Sequence, residues 1–152
     1  MLHTRYFQLG GVDDFKNEAI VLGRDALSLC PPGRPGHLAS LDNLALYLSS
    51  RCLQLGGIDD LNEAIAFSRD ALSFSPPEDP VRLIFLSNLA RYLFSQYNYI
   101  EGIDDLNEAI VLARDALSLC PLGHLGRSIS LSGLADYISS RYFQLGERDD
   151  LN

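Results

Sequence analysis

The nine residues GIDDLNEAI occupy Gly57–Ile65 and return letter for letter at Gly102–Ile110. Upstream, GVDDFKNEAI at Gly11–Ile20 is the same phrase with one residue more, Lys16 being the simplest insertion, and DDLN returns at Asp149–Asn152. A second phrase, RDALS, stands at Arg24–Ser28, Arg69–Ser73 and Arg114–Ser118, at offsets of 45 and 45. A third, RYFQL or RCLQL, stands at Arg5–Leu9, Arg51–Leu55 and Arg141–Leu145. A fixed period between about 20 and 50 residues is the mark of a repeat array. The chain therefore reads as one array over 1–152, with repeats 5–50, 51–95 and 96–140 and a partial repeat 141–152.

Each period holds two helical patterns. In the first, Leu61, Ala64, Ile65, Ser68, Ala71, Leu72 and Ser75 follow the spacing of one helix face. Asp60-x-x-Glu63 predicts its start as a capping box with Asp60 as the cap, and Pro76-Pro77 predicts its end. The second pattern runs from about His37 to Leu55, with Leu41, Leu44, Ala45, Leu48, Cys52 and Leu55 as its stripe and Gly56-Gly57 as its stop. Its copies are Leu86, Leu89, Ala90, Leu93, Tyr97 and Leu131, Leu134, Ala135, Ile138, Tyr142. No alternating segment suggests a strand. The expected fold is all-α, six long helices in hairpins with short stubs at both ends.

These residues resemble the tetratricopeptide repeat. Leu41-x₂-Leu44-Ala45-x₂-Leu48 stands for the first part of that family's pattern, and Ala64-x₃-Ser68, Ala71 and Pro76 for the second. The same letters recur as Leu86, Leu89, Ala90 and Leu93 ahead of Ala109, Ala113, Ala116 and Pro121. Leucine replaces both large aromatics, Gly23, Ser68 and Ala113 replace the phenylalanine, and the period exceeds the family's by about 11 residues. The chain is thus similar to long-period arrays of large fungal proteins, some of which carry an NTPase or caspase-like effector domain. HEAT or armadillo repeats, with periods of about 40–47, also fit, but the alanine and proline spacing favours tetratricopeptide.

That resemblance implies an α-solenoid of stacked antiparallel hairpins, a right-handed superhelix whose concave groove holds a peptide or helix. Carried onto this chain, the groove positions are Asp42, Asn43, Leu46 and Ser49, then Ser87, Asn88, Arg91 and Phe94, then Ser132, Gly133, Asp136 and Ser139. Leu46, Arg91 and Asp136 share one repeat position, as a surface with varied contacts would have it. Arg91 is expected to be the main charged contact, Asp42 and Asp136 to oppose it, and Phe94 to supply apolar area. The lysine clamp that some family members use for C-terminal carboxylates is excluded, because Lys16 is the only lysine.

Composition bounds the remaining classes. With 47% hydrophobic and 21% charged residues the chain is globular. A net charge of −8 argues against a nucleic-acid partner. No apolar run is long enough for a membrane span. Three cysteines without CxxC spacing form neither a disulfide framework nor a zinc site, so a reducing cytoplasm is expected.

Catalytic motifs are absent. Asp13-Asp14, Asp59-Asp60, Asp104-Asp105 and Asp149-Asp150 recur in every copy, as caps do, whereas a catalytic pair is needed once. Arg-Asp at 24–25, 69–70 and 114–115 reads as links between repeats or a solvated face. PPGRPGH (Pro31–His37) and PLGHLGR (Pro121–Arg127) lack the GxxxxGK[ST] of a phosphate loop, His3, His37 and His124 lack zinc spacing, and no GxSxG elbow occurs. The expected function is a non-catalytic protein–protein interaction scaffold without cofactors. The alternatives are a structural or regulatory segment of a larger signalling protein, or a module that self-associates through uncapped ends.

Overall fold

The computed structural model describes residues 11–150, with side chains over 14–147. The expected stub Arg5–Leu9, His3 and the last two residues lie outside that range. Six α-helices follow in order: α1 (Gly11–Leu29), α2 (His37–Leu55), α3 (Ile58–Phe74), α4 (Arg82–Ile100), α5 (Ile103–Leu119) and α6 (Leu125–Asp150). No strand occurs among the described residues. The all-α reading holds, and helices adjacent in sequence pack in pairs as a helical repeat requires. The chain divides into two compact units, Met1–Phe74 and Ser75–Asn152, each holding three of the helices.

In unit 1, α2 is the central helix and packs against both α1 and α3. Its sequence-predicted stripe is sealed except at its last member: Leu44, Ala45 and Leu48 are fully buried, Leu41 and Cys52 nearly so, while Leu55, at the end of the helix, is exposed. Leu61, Ala64 and Ala71 of α3 are equally inaccessible. Burying a leucine side chain of this kind contributes about 1.5–3 kcal/mol, so these few positions supply much of the unit's cohesion. Gly56 and Gly57, with φ of 74° and 106°, make the two-residue turn from α2 into α3. Only glycine takes two consecutive left-handed residues at little cost.

Unit 2 repeats this plan with α5 in the middle, packed against α4 and α6. Leu89, Leu93 and Leu106 fill its interior together with Tyr92. Glu101, a non-glycine residue at φ 53°, ends α4, its N–H donating to the Tyr97 carbonyl at 2.7 Å. The Pro31, Pro76 and Pro121 stops hold, since α1, α3 and α5 end two residues before them.

Two expectations need correction. Asp60 does not cap α3: the helix begins at Ile58, and the Asp60 carboxylate instead accepts two hydrogen bonds from Arg51 of α2, both 2.7 Å. The N-cap of α5 is Gly102, which has no side chain to offer. What survives is the dipole reading, because Asp59, Asp60, Asp104 and Asp105 all sit in first turns. The second correction concerns residues 141–150. The repeat pattern predicts a short separate stub there, the partial repeat 141–152, but α6 runs through Gly146 to Asp150, 26 residues in all. The earlier turn uses two glycines. Here one glycine is followed by Glu147 and Arg148, which a helix accepts readily.

A device invisible to helix-by-helix reading recurs at positions 37, 82 and 127, one period apart. His37 Nδ1 lies 2.7 Å from the Cys30 carbonyl, Arg82 Nη1 donates to the Ser75 carbonyl at 2.8 Å, and Arg127 Nη1 to the Cys120 carbonyl at 2.9 Å. Each joins the first turn of a helix to a carbonyl of the loop that leads into it.

Candidate partner-binding surface

Seven of the twelve groove positions, Asp42, Asn43, Leu46, Asn88, Arg91, Phe94 and Asp136, are the candidate contacts, and they fall on three helices. On α2, in unit 1, Asp42 is half-buried while Asn43 and Leu46 are exposed. Ser49, one turn further, is buried and donates to the Leu46 carbonyl at 3.0 Å, so it is closed to a partner.

In unit 2 the structure brings the other four together. Arg91 is exposed on α4, and its Nη2 donates to Asn88 Oδ1 at 3.2 Å. Its guanidinium carbon also lies 5.4 Å from the centroid of the Tyr92 ring, within cation–π range. One turn along, the half-buried Phe94 ring meets Tyr137 of α6 at 4.7 Å between centroids and stacks on Tyr97 at 6.1 Å. Asp136 projects beside Tyr137 and is exposed. Burial pushes the Tyr137 phenol above its ordinary range; the Arg91 charge works against that shift and the Asp136 charge with it. Both charges therefore act on the one phenol, across two helices.

The result is an aromatic cluster in which Phe94 and Tyr97 are half-buried and Tyr137 is buried, with the Arg91 cation and the Asp136 carboxylate both close enough to act on it. Chemically it can hold an apolar side chain against the rings while pairing an acid with Arg91. Phe94 spends part of its area on Tyr137, so it offers a partner less than a free ring would. Tyr137 itself was missed in the sequence, although the repeat signals it: Tyr47, Tyr92 and Tyr137 stand at offsets of 45 and 45.

Unit 1 carries a second feature, a cleft of about 280 Å³ between α1 and α2. Ala19, Leu22, Gly23 and Ala26 line it from α1, and Ser40, Asn43 and Tyr47 from α2. All seven are uncharged.

In one copy of the Arg-Asp motif the arginine links two helices of like sequence. Arg24 of α1 forms a bidentate pair with Glu63 of α3, its Nη2 donating to Oε2 at 2.8 Å. The hydrogen bond from Arg24 holds the Glu63 carboxyl below its usual range, and that from Arg51 does the same for Asp60.

Among the described residues, no group of three or more His, Cys, Asp or Glu could hold a metal ion, and no helix is long and apolar enough to cross a membrane. Cys30, Cys52 and Cys120 are free thiols, the last two buried. No protein-family model, no curated protein and no solved structure matches the chain.

Proposed function

We propose that this chain is a non-catalytic protein–protein interaction module, a stacked array similar to tetratricopeptide solenoids that holds a peptide or helix of another cytosolic protein. The observation that carries the reading is the unit 2 cluster: an exposed arginine beside the half-buried Phe94 and Tyr97 rings of α4, with Phe94 packed on the buried Tyr137 of α6. Arginine and tyrosine are the residue types that dominate binding energy at protein interfaces. The ligand that fits is a segment with one large apolar side chain next to one acidic residue. Asp136 disfavours runs of acids. On unit 1, Asp42, Asn43 and Leu46 hold the equivalent positions of α2 and serve as a second strip of varied contacts.

A display library of random peptides selected on the wild-type chain and on Arg91→Glu tests this. Wild type is expected to enrich apolar-plus-acidic segments, and Arg91→Glu, with its far-UV circular dichroism unchanged, to bind them about tenfold more weakly. Equal binding by the two proteins, or no enrichment on either, overturns the reading.

A further inference from the structure

The pair α1–α2 in unit 1 is the sequence twin of the pair α5–α6 in unit 2: NEAIVL and RDALSL are shared by α1 and α5, and Tyr47 matches Tyr137 at an offset of 90. In unit 2 a third helix, α4, lies along α5 and covers Tyr137 with Phe94. The α5 face beneath is closed: Leu112 is 9% exposed and Ala116 1%. In unit 1 the matching residues are open, Leu22 being 59% exposed and Ala26 and Tyr47 lining the cleft. The cleft is therefore the seat that α4 fills in unit 2.

A helix with the face of α4 also exists, uncovered, elsewhere in the chain. Leu86 and Leu93 of α4 are 4% and 0% exposed, whereas their α6 counterparts Leu131 and Ile138 are 47% and 42% exposed. Both halves of an interface that the molecule already makes once internally are thus present and open.

We propose that the occupant of the α1–α2 cleft is α6 of a second copy of this chain, its Leu131, Ala135 and Ile138 lying against Leu22 and Ala26 as α4 lies along α5. The interface is heterologous: each copy offers a cleft at one place and an α6 face at another, so association proceeds head to tail and does not close at two. It goes beyond the Arg91 surface and stands without it. The lining carries no charge, so the −8 on each chain opposes association, and added salt strengthens it.

Sedimentation and light scattering over a hundredfold dilution at two ionic strengths read the outcome, with Ala26→Arg blocking the cleft and Ile138→Arg blocking the α6 face. Both positions are exposed, so both variants keep the wild-type circular dichroism. Wild type is expected to gain mass steadily with concentration and salt, and each variant alone to stay at one chain. An equimolar mixture of the two retains one cleft and one α6 face between them, and is expected to stop at twice the 16.8 kDa of one chain. A wild type that stays at one chain at every concentration overturns the proposal. So does a mixture that fails to pair, or a single variant that still dimerises.

Discussion

Two helix pairs of nearly one sequence stand in different surroundings here. On α5, Leu112, Ala113 and Ala116 are buried between neighbouring helices, while on α1 the matching Leu22, Gly23 and Ala26 border open space. Their local preferences are the same, so the difference is tertiary: what decides burial is whether a helix lies across the face. An amphipathic stripe states that a face is to be covered; it does not state by what.

The largest test of that comparison uses one substitution at two matched positions. Leu112→Ala removes a side chain packed in the interior of unit 2 and is expected to cost about 2–4 kcal/mol. Leu22→Ala removes a side chain that is already mostly in water and should cost under about 1 kcal/mol. Urea unfolding followed by circular dichroism gives both values. Equal costs would mean that Leu22 is covered in solution, and repeating the measurement on diluted protein would show whether a second copy covers it.

The helix limits were legible because they rest on local chemistry. His37–Leu55 is bounded by a glycine-proline loop and by Gly56-Gly57, and α2 spans those residues. The stripes were legible too, since Leu41, Leu44, Ala45 and Leu48 keep helix periodicity. What escaped depends on distance. Asp60 has the spacing of a cap, but Arg51 stands across the turn and takes its carboxylate instead. Tyr137 has an ordinary place on its helix, and only the approach of Phe94 from α4 makes it part of a surface. Of the candidate surface, Asn88, Arg91, Phe94 and Asp136 were nameable through the resemblance to tetratricopeptide arrays, but their clustering around Tyr137 was not.

The Arg51–Asp60 pair sharpens the comparison by pH, because Gln96 stands in unit 2 where Arg51 stands in unit 1. The hydrogen bonds from Arg51 lower the Asp60 carboxyl below its ordinary range in the folded chain. A lowered folded value means that the stabilisation is complete above the ordinary carboxylate range near 4 and is lost as pH falls through the lowered one. Both side chains are largely buried, so the pair is expected to contribute about 1 kcal/mol at neutral pH. Asp60→Asn should lose that amount at pH 7 and progressively less as the pH falls through the acid range. Denaturant midpoints measured across the acid range decide it; a pH-independent gap would assign the Asp60 effect to packing.

The smallest effect falls on the one letter by which α1 departs from the NEAIVLxRDALSL it otherwise shares with α5, Gly23 against Ala113. Glycine inside a helix costs about 1 kcal/mol relative to alanine, so Gly23→Ala begins with that much in its favour. Against it, a Cβ at this position would stand 3.2 Å from the Leu44 Cδ1 methyl and 3.6 Å from Tyr47. The first distance is tight, and the methyl must move by a few tenths of an ångström. Leu44 is fully buried, so its methyl has little room to give and the contact takes back part of the gain. The variant is therefore expected to be more stable than wild type by about 0.5 kcal/mol, read as a raised denaturant midpoint at unchanged slope. A lowered midpoint would show that α2 holds Leu44 as firmly as a sealed core does, and that the two helix pairs are more alike than their exposures imply.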